Sequence, residues 1–251
     1  DRCLTDLTRH SPLHAAAYSY VMSHGDDPRG IDVALLYRPA LFHPFCADEH
    51  AVSVRAIHRN AHARPVLHVS GRLPTGDTLD VLVCHWPSRL GGTRASEPLR
   101  SMVASVVQAV CDSLQTVRTK ALLLVMGDLN EPPSGYAVAQ LEGGSHLVNL
   151  ARTAQPMYPP KRNSDCQGTY RYKGRWEQLD QMLVSPALAA CIPAANIINA
   201  PFLTIYNAPF LLEHEPVYGG LRPRRTFLGL RYRSGYSDHL PIFADFLFPL
   251  D

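Results

Sequence analysis

The 251-residue sequence is 46% hydrophobic and 18% charged, with 24 Lys and Arg against 22 Asp and Glu. A net charge of +2 is too small for bulk attraction to a polyanion, so charge alone selects no partner, although the basic residues are overwhelmingly Arg, the side chain suited to bidentate phosphate contact. No Gly/Ser-rich or charge-rich linker divides the chain, and apolar runs such as Ala121 to Met126 are far too short to cross a bilayer, so one soluble, monomeric domain over residues 1–251 is expected.

The chain opens Asp1-Arg2-Cys3 without an apolar leader, which leaves its compartment unread. The segment through Ser19 reads as a helix and loop, and Gly30 to Tyr37 as a strand ended by Pro39. Val66 to Ser70 and Leu79 to Cys84 flank the turn-rich Leu73-Pro74-Thr75-Gly76-Asp77 and predict an antiparallel hairpin that delivers His85-Trp86-Pro87-Ser88-Arg89. From Ser96 to about Thr116, Leu99, Met102, Val103, Val106, Val107, Val110 and Leu114 follow the helical period, with Ser96 as N-cap and Glu97 in the first turn. Ala121 to Met126 and Leu179 to Val184 read as buried strands, and Pro241 to Phe248 as a final one. The pattern is mixed α/β (α+β), sheets layered against helices, with no internal repeat. Six scattered cysteines (Cys3, Cys46, Cys84, Cys111, Cys166, Cys191) without a C-x-x-C pair read as buried thiols rather than disulfides or a metal cluster.

Polar clusters stand at the ends of these apolar strands. In Gly127-Asp128-Leu129-Asn130, extended geometry would turn Asp128 and Asn130 to one side and Leu129 into the core. A carboxylate can orient water or hold a divalent cation, and an amide can donate to a phosphoryl oxygen; the bland alternative is a turn capped by its own side chains. In Ser237-Asp238-His239, His239 can donate to a phosphoryl oxygen or exchange protons, with Asp180 the candidate to orient its ring, which frees Asp238 for metal. Taken alone, Ser-Asp-His reads as a surface turn; the combination reverses that. His85 and Arg89 are phosphate-contact candidates within one loop, and Arg29 is a weaker one. Arg222, Arg224, Arg225, Arg231 and Arg233 either draw phosphate toward the site or form a solvated loop. Tyr158, Tyr170, Tyr172 and Trp176 are read as packing residues before base-stacking ones.

In order, Gly30 to Arg38, His85-Trp86-Pro87-Ser88-Arg89, Gly127-Asp128-Leu129-Asn130-Glu131, Leu179-Asp180-Gln181 and Ser237-Asp238-His239-Leu240-Pro241-Ile242 resemble the endonuclease/exonuclease/phosphatase superfamily. The resemblance spans roughly Gly30 to Phe248. It implies a four-layered α/β sandwich, two packed sheets flanked by helices, that hydrolyses phosphodiesters or phosphomonoesters with Mg²⁺ or Mn²⁺. Substrates across the superfamily include nucleic acids, phospholipids and inositol phosphates, and fold does not choose among them. The resemblance further implies that Asp128 orients the attacking water, Asn130 and His85 hold the phosphate, His239 supported by Asp180 stabilises the transition state, and Asp238 positions the metal. One departure stands out. The family places an Asn and then a metal-ligating Glu upstream of the segment like Gly30 to Arg38, whereas the first Glu here is Glu49. The expectation is therefore a domain that lacks its N-terminal strands, with a catalytically dead phosphate-binding module of the same fold as the alternative. No Gly-x-Ser-x-Gly elbow suggests a serine hydrolase.

Overall fold

The computed structural model describes residues 2–27, 29–53, 63–89, 91–159, 166–193 and 202–249. Helix α1 (Arg2–Arg9) leads through a 3-10 turn into β1 (Ser19–Met22), β2 (Ala34–Tyr37), β3 (His43–His50), β4 (Val66–Arg72) and β5 (Thr78–His85). Then come α2 (Thr93–Val117), β6 (Leu122–Asp128), α3 (Tyr136–Gly144), β7 (Val148–Asn149), β8 (Gln155–Pro156), β9 (Tyr170–Tyr172), β10 (Arg175–Glu177) and β11 (Asp180–Val184). The last elements are α4 (Pro186–Ala189), β12 (Thr204–Ile205), β13 (Leu212–His214), β14 (Leu221–Pro223), β15 (Phe227–Leu228), β16 (Arg231–Tyr232) and β17 (Ile242–Phe243). The architecture is mixed α/β, with several sheets and few helices, as the sequence predicts.

A mixed six-stranded sheet in the order β3-β4-β5-β6-β11-β7 organises the molecule. Only β5 and β6 run parallel within it, and parallel neighbours need a crossover, which α2 supplies. Val103, Ala104, Val107, Cys111 and Leu114 of α2, with Ala137 and Leu141 of α3, cover Leu82, Cys84, Leu123, Val125 and Leu183 on one face. Leu67, Val69, Val81, Leu122 and Val184 fill the other, against Val33, Leu35, Leu188 and Leu203. Successive residues Leu122 and Leu123 thus enter opposite cores, which is why β6 is apolar from Leu122 to Met126 rather than alternating. A two-stranded β1-β2 sheet and the three-stranded β17-β12-β8 sheet are separate from the large one; Val21 and Ile242 from them pack against the second face. Cys84, Cys111 and Cys166 are buried, as expected, but Cys3 and Cys46 are exposed and Cys191 half-buried, so the buried-thiol reading holds for only part of the set; burial pushes the Cys84 thiol up to about 12.

Three expectations change. Strand β3 was not foreseen: it is an edge strand whose HPFCADEH sequence is mostly exposed and bulges between Pro44 and Cys46, so no burial pattern marks it. Helix α2 begins at Thr93 behind Gly92, and Ser96 is not its cap; the Ser96 hydroxyl donates to the Gly92 carbonyl at 2.8 Å from within the first turn. The apolar run from Pro241 to Phe248 is a strand only at Ile242–Phe243, which pair with β12. Beyond them Ala244, Phe246 and Phe248 keep an in-out alternation against the core without a ladder partner among the described residues. Between Tyr158 and Tyr170, residues 160–165 lie outside the described residues. Among the described residues no helix is long and apolar enough to cross a membrane.

Candidate active site

Strand register sets out the first three groups. His85 ends β5 and is paired with Asp128, which ends β6; Asp128 is in turn paired with Asp180, the first residue of β11. Paired residues project to the same side of a sheet, so two carboxylates and an imidazole stand in one row along the rim. Gly127, just before Asp128, has φ 135°, and a Cβ there would lie 1.9 Å from the Cys84 carbonyl oxygen. Only glycine permits that approach of β5 to β6.

Asn130 departs from the extended geometry expected of it. Its φ of 49° folds the chain back, its backbone N–H donates to Asp128 Oδ1 at 2.9 Å, and its side-chain amide donates to Asp128 Oδ2 at 3.2 Å and to the Trp86 carbonyl at 3.0 Å. Leu129 still points into the core, wholly buried. These bonds are those of the capped turn: with both amide hydrogens engaged, Asn130 orients Asp128 and does not stand free for a phosphoryl oxygen.

His239 reaches this row from the far end of the chain. Its backbone forms a bridge with Tyr170, and Leu240 N–H donates to the Thr169 carbonyl at 2.8 Å. The ring places Nδ1 2.7 Å from Asp180 Oδ2 and Nε2 3.9 Å from Asp128 Oδ2. On another side, His85 Nε2 lies 3.5 Å from the same Asp128 oxygen. Tyr170 packs against the His239 ring at 4.8 Å with the planes tilted by 34°, and the Arg225 guanidinium sits 5.4 Å from the Tyr170 ring centre.

Charge is distributed unevenly over these groups. Burial pushes the Asp128 carboxyl up to about 6; His239 opposes this, while Asp180 and Asp238 add to it. Burial alone would lower His239, but the Asp180 hydrogen bond and the charges of Asp180, Asp128 and Asp238 together raise it to about 8. His85 falls to about 4 through burial, reinforced by Arg64, His239 and Arg29. Near neutral pH the site therefore holds a charged His239, a neutral His85 and a carboxylate between them that binds a proton more readily than usual.

All eight candidate residues line one cavity of about 910 Å³: Arg29, His85, Arg89, Asp128, Asn130, Asp180, Asp238 and His239. The two arginines are already paired. Arg89 makes a two-nitrogen contact with both oxygens of Glu177, and Arg29 lies 3.1 Å from Asp27. That Arg29 hydrogen bond leads the effects that hold the Asp27 carboxyl down at about 2. Asp238 is exposed on the cavity wall. Sequence reasoning did not single out Glu177, nor Arg64, a buried guanidinium 2.8 Å from Asp27 and 3.4 Å from the His85 carbonyl. Arg64 lies in Ala63-Arg64-Pro65 ahead of β4, where no spacing marks it. Tyr170 was read as packing, and it both packs on His239 and faces the cavity. Of the arginine-rich stretch, Arg222 is held by Glu213 and Glu215, and Arg225 donates to the Arg171 carbonyl. Glu49, the first Glu of the chain, accepts from the His24 backbone at 3.0 Å and is not part of the cavity lining.

The carboxylates of Asp128 and Asp180 fit a divalent cation, while a protonated His239 has no lone pair to offer one and would act beside it. Ligand atoms of Asp128, Asp180 and His239 all lie within 4.8 Å of one another, and the burial and anionic neighbours that raise Asp128 are what a bound cation would offset. Asp238 is outside that tight group.

A family profile described as endonuclease/exonuclease/phosphatase matches residues 1–247. No curated protein matches the chain. Among solved structures, the mannosyl-6-phosphatase of Bacteroides thetaiotaomicron is 17% identical with a TM-score of 0.59, over 98% of this chain and 82% of that one. Truncated TDP2 of Caenorhabditis elegans is also 17% identical, TM-score 0.58, over 94% and 77%. The human Nocturnin catalytic domain, 17% identical with a TM-score of 0.52, is matched over 69% of this chain, which spans 63% of that one. At these identities the likeness is one of fold.

Proposed function

The chain belongs to the endonuclease/exonuclease/phosphatase family, and from that membership we propose that it is a divalent-metal-dependent phosphoesterase acting by water attack on phosphorus, with residues 1–251 as one domain. The observation that carries this reading is the convergence of Asp128, Asp180 and His239 on one rim, within 4.8 Å, at the wall of a cavity that also receives His85.

In this reading Asp128 aligns the attacking water and takes up its proton, a task its raised affinity for protons suits. Asn130 holds that carboxylate in place through two hydrogen bonds. His239, kept cationic and oriented by Asp180 at 2.7 Å, donates through Nε2 to a phosphoryl oxygen, where charge grows in the transition state. Neutral His85 contacts the phosphate from the opposite side of Asp128, and Arg89 and Arg29, each already paired with a carboxylate, would reach it by exchanging Glu177 or Asp27 for a phosphoryl oxygen. Mg²⁺ or Mn²⁺, held by carboxylates of the Asp128 and Asp180 group with Asp238 nearby, would neutralise phosphoryl oxygens and stabilise the leaving oxygen. Phosphodiesters, nucleic acids among them, and phosphomonoesters are the substrate classes in view.

The test is hydrolysis of bis-p-nitrophenyl phosphate, with DNA, RNA, sphingomyelin and inositol phosphates as the panel. Activity that EDTA abolishes and that Asp128→Ala or His239→Ala removes supports the proposal. Stabilisation by phosphate ligands without turnover in any of these assays would instead identify a binding module.

A further inference from the structure

Every residue from Phe227 to Ser234 is exposed. β15 and β16 pair as a tight hairpin through Gly229, at φ 59°, and Leu230. Leu230 stands fully in solvent at its tip, with Phe227 55% exposed, Tyr232 63% and Leu228 44%. Val217 and Tyr218, in the turn between β13 and β14, are exposed too. Solitary exposed apolar groups need no explanation, but a projecting hairpin that carries four of them does.

The charge around this tip has one sign. Arg231 and Arg233 are exposed beside it, and no Asp or Glu occurs between Glu215 and Asp238, a stretch that holds five arginines. We infer that the β15–β16 hairpin is a docking surface for an anionic phospholipid bilayer. Leu228 and Leu230 have no π face to stack on a base, and the two aromatic rings, Phe227 and Tyr232, are packed edge to face on each other at 5.4 Å, so a nucleic-acid strand gains less from this tip than an acyl boundary does. At a bilayer, Leu228, Leu230 and Phe227 enter the acyl boundary, Tyr232 sits at headgroup level, and Arg231 and Arg233 face lipid phosphates.

Position gives the contact a purpose. At the hairpin base, Arg233 N–H donates to the Thr226 carbonyl at 2.8 Å and Tyr236 N–H to the Arg224 carbonyl at 2.7 Å. Ser237, Asp238 and His239, which line the cavity, follow directly. Arg225, just before the hairpin, lies over the cavity residue Tyr170. Resting on the phosphoesterase reading, docking would bring the cavity wall to phosphoesters presented in lipid headgroups; the docking itself does not depend on that reading.

The experiment is sedimentation of the full chain with vesicles of phosphatidylcholine, with and without phosphatidylserine, alongside hydrolysis of a water-soluble ester. Wild type should sediment with the phosphatidylserine vesicles, less as salt rises, and Leu230→Ser should weaken that partition by about tenfold. Arg231→Ser with Arg233→Ser should abolish the preference for phosphatidylserine, and neither change should alter hydrolysis of the soluble ester. The inference is overturned if folded wild type stays in the supernatant, or if Leu230→Ser binds vesicles as wild type does. It is equally overturned if Leu230→Ser instead abolishes a concentration-dependent dimer seen by light scattering, or an RNA or DNA gel shift. Because vesicle binding is read without turnover, an inactive protein that still sediments would count against the enzymatic reading alone.

Discussion

Asp128 and Asp180 are direct cross-strand partners on antiparallel neighbours β6 and β11, and His239 lies between their carboxylates, 2.7 Å from one and 3.9 Å from the other. Like charges placed opposite each other destabilise a sheet, so this pair is held at a cost that a cationic imidazole offsets.

Replacing Asp128 by Asn should separate activity from stability. Hydrolysis of bis-p-nitrophenyl phosphate should fall by about 10²–10⁴-fold, while the thermal midpoint stays level or rises because one of two facing anions has gone. Calorimetry and steady-state kinetics on the same preparation decide it; a variant that keeps wild-type kcat removes Asp128 from the chemistry.

His239 should make folding stability depend on alkaline pH. Its folded value, about 8, lies above its ordinary one of 6.5, so the native state holds the proton longer. The stabilisation is fully present below about 6.5 and is lost as pH rises through about 8, amounting to about 2 kcal/mol. Asp128, raised to about 6, acts with the same sign in a lower window. Urea unfolding at pH 6.5 and 8.5 should show the loss in wild type and little of it in His239→Asn; equal slopes in both would discard the assignment.

Arg100 is wholly buried in α2, where it meets Glu131, the Ser96 hydroxyl and the Thr93 carbonyl. It ties the start of the crossover helix to the residue just after Asn130. Arg100→Ala would strand the buried Glu131 and should cost about 3–5 kcal/mol. A loss under about 1 kcal/mol in denaturant melts would mean the pair is not closed as the geometry has it.

Gly127→Ala should be severe for a substitution so small. A Cβ 1.9 Å from a backbone oxygen at φ 135° has no flexible neighbour to push aside, and a loss of roughly 2–4 kcal/mol is expected. Since β5 and β6 must move apart to admit it, activity should fall further than the folded fraction does, as circular dichroism and kinetics together would show.

Divalent cation should stabilise the fold through the carboxylate group. At about 100 times its Kd, Mg²⁺ or Mn²⁺ would add about 2.7 kcal/mol, seen as a higher midpoint that EDTA reverses. Asp128→Asn should blunt the shift; an undiminished shift would place the cation elsewhere.

The sheet and the wall of the candidate site were legible where apolar runs ended in polar clusters. LLLVM is continuous because both faces of β6 are covered, and the polar end of β6, like Asp180 at the start of β11, marked the rim without any knowledge of register. What stayed hidden depends on contacts distant in sequence. Arg64 gains meaning only against Asp27 and the His85 carbonyl, and Glu177 only against Arg89. Strand β3 has one neighbour and a wet outer side, so burial imposed no pattern on it. The role of Asn130 hinged on a positive φ, and alternation counting assumes an extended chain.

The row His85, Asp128, Asp180 is a property of hydrogen-bond pairing, so it tolerates no partial version. A one-residue slip of β11 would bring Leu179 or Gln181 opposite Asp128 and turn Asp180 to the other side of the sheet. Chains trapped in such a slip would keep nearly the native strand content and spectrum yet contribute nothing to turnover. Specific activity would then count correctly registered molecules rather than measure their average quality, and a low value in one preparation would point to its refolding history before its chemistry.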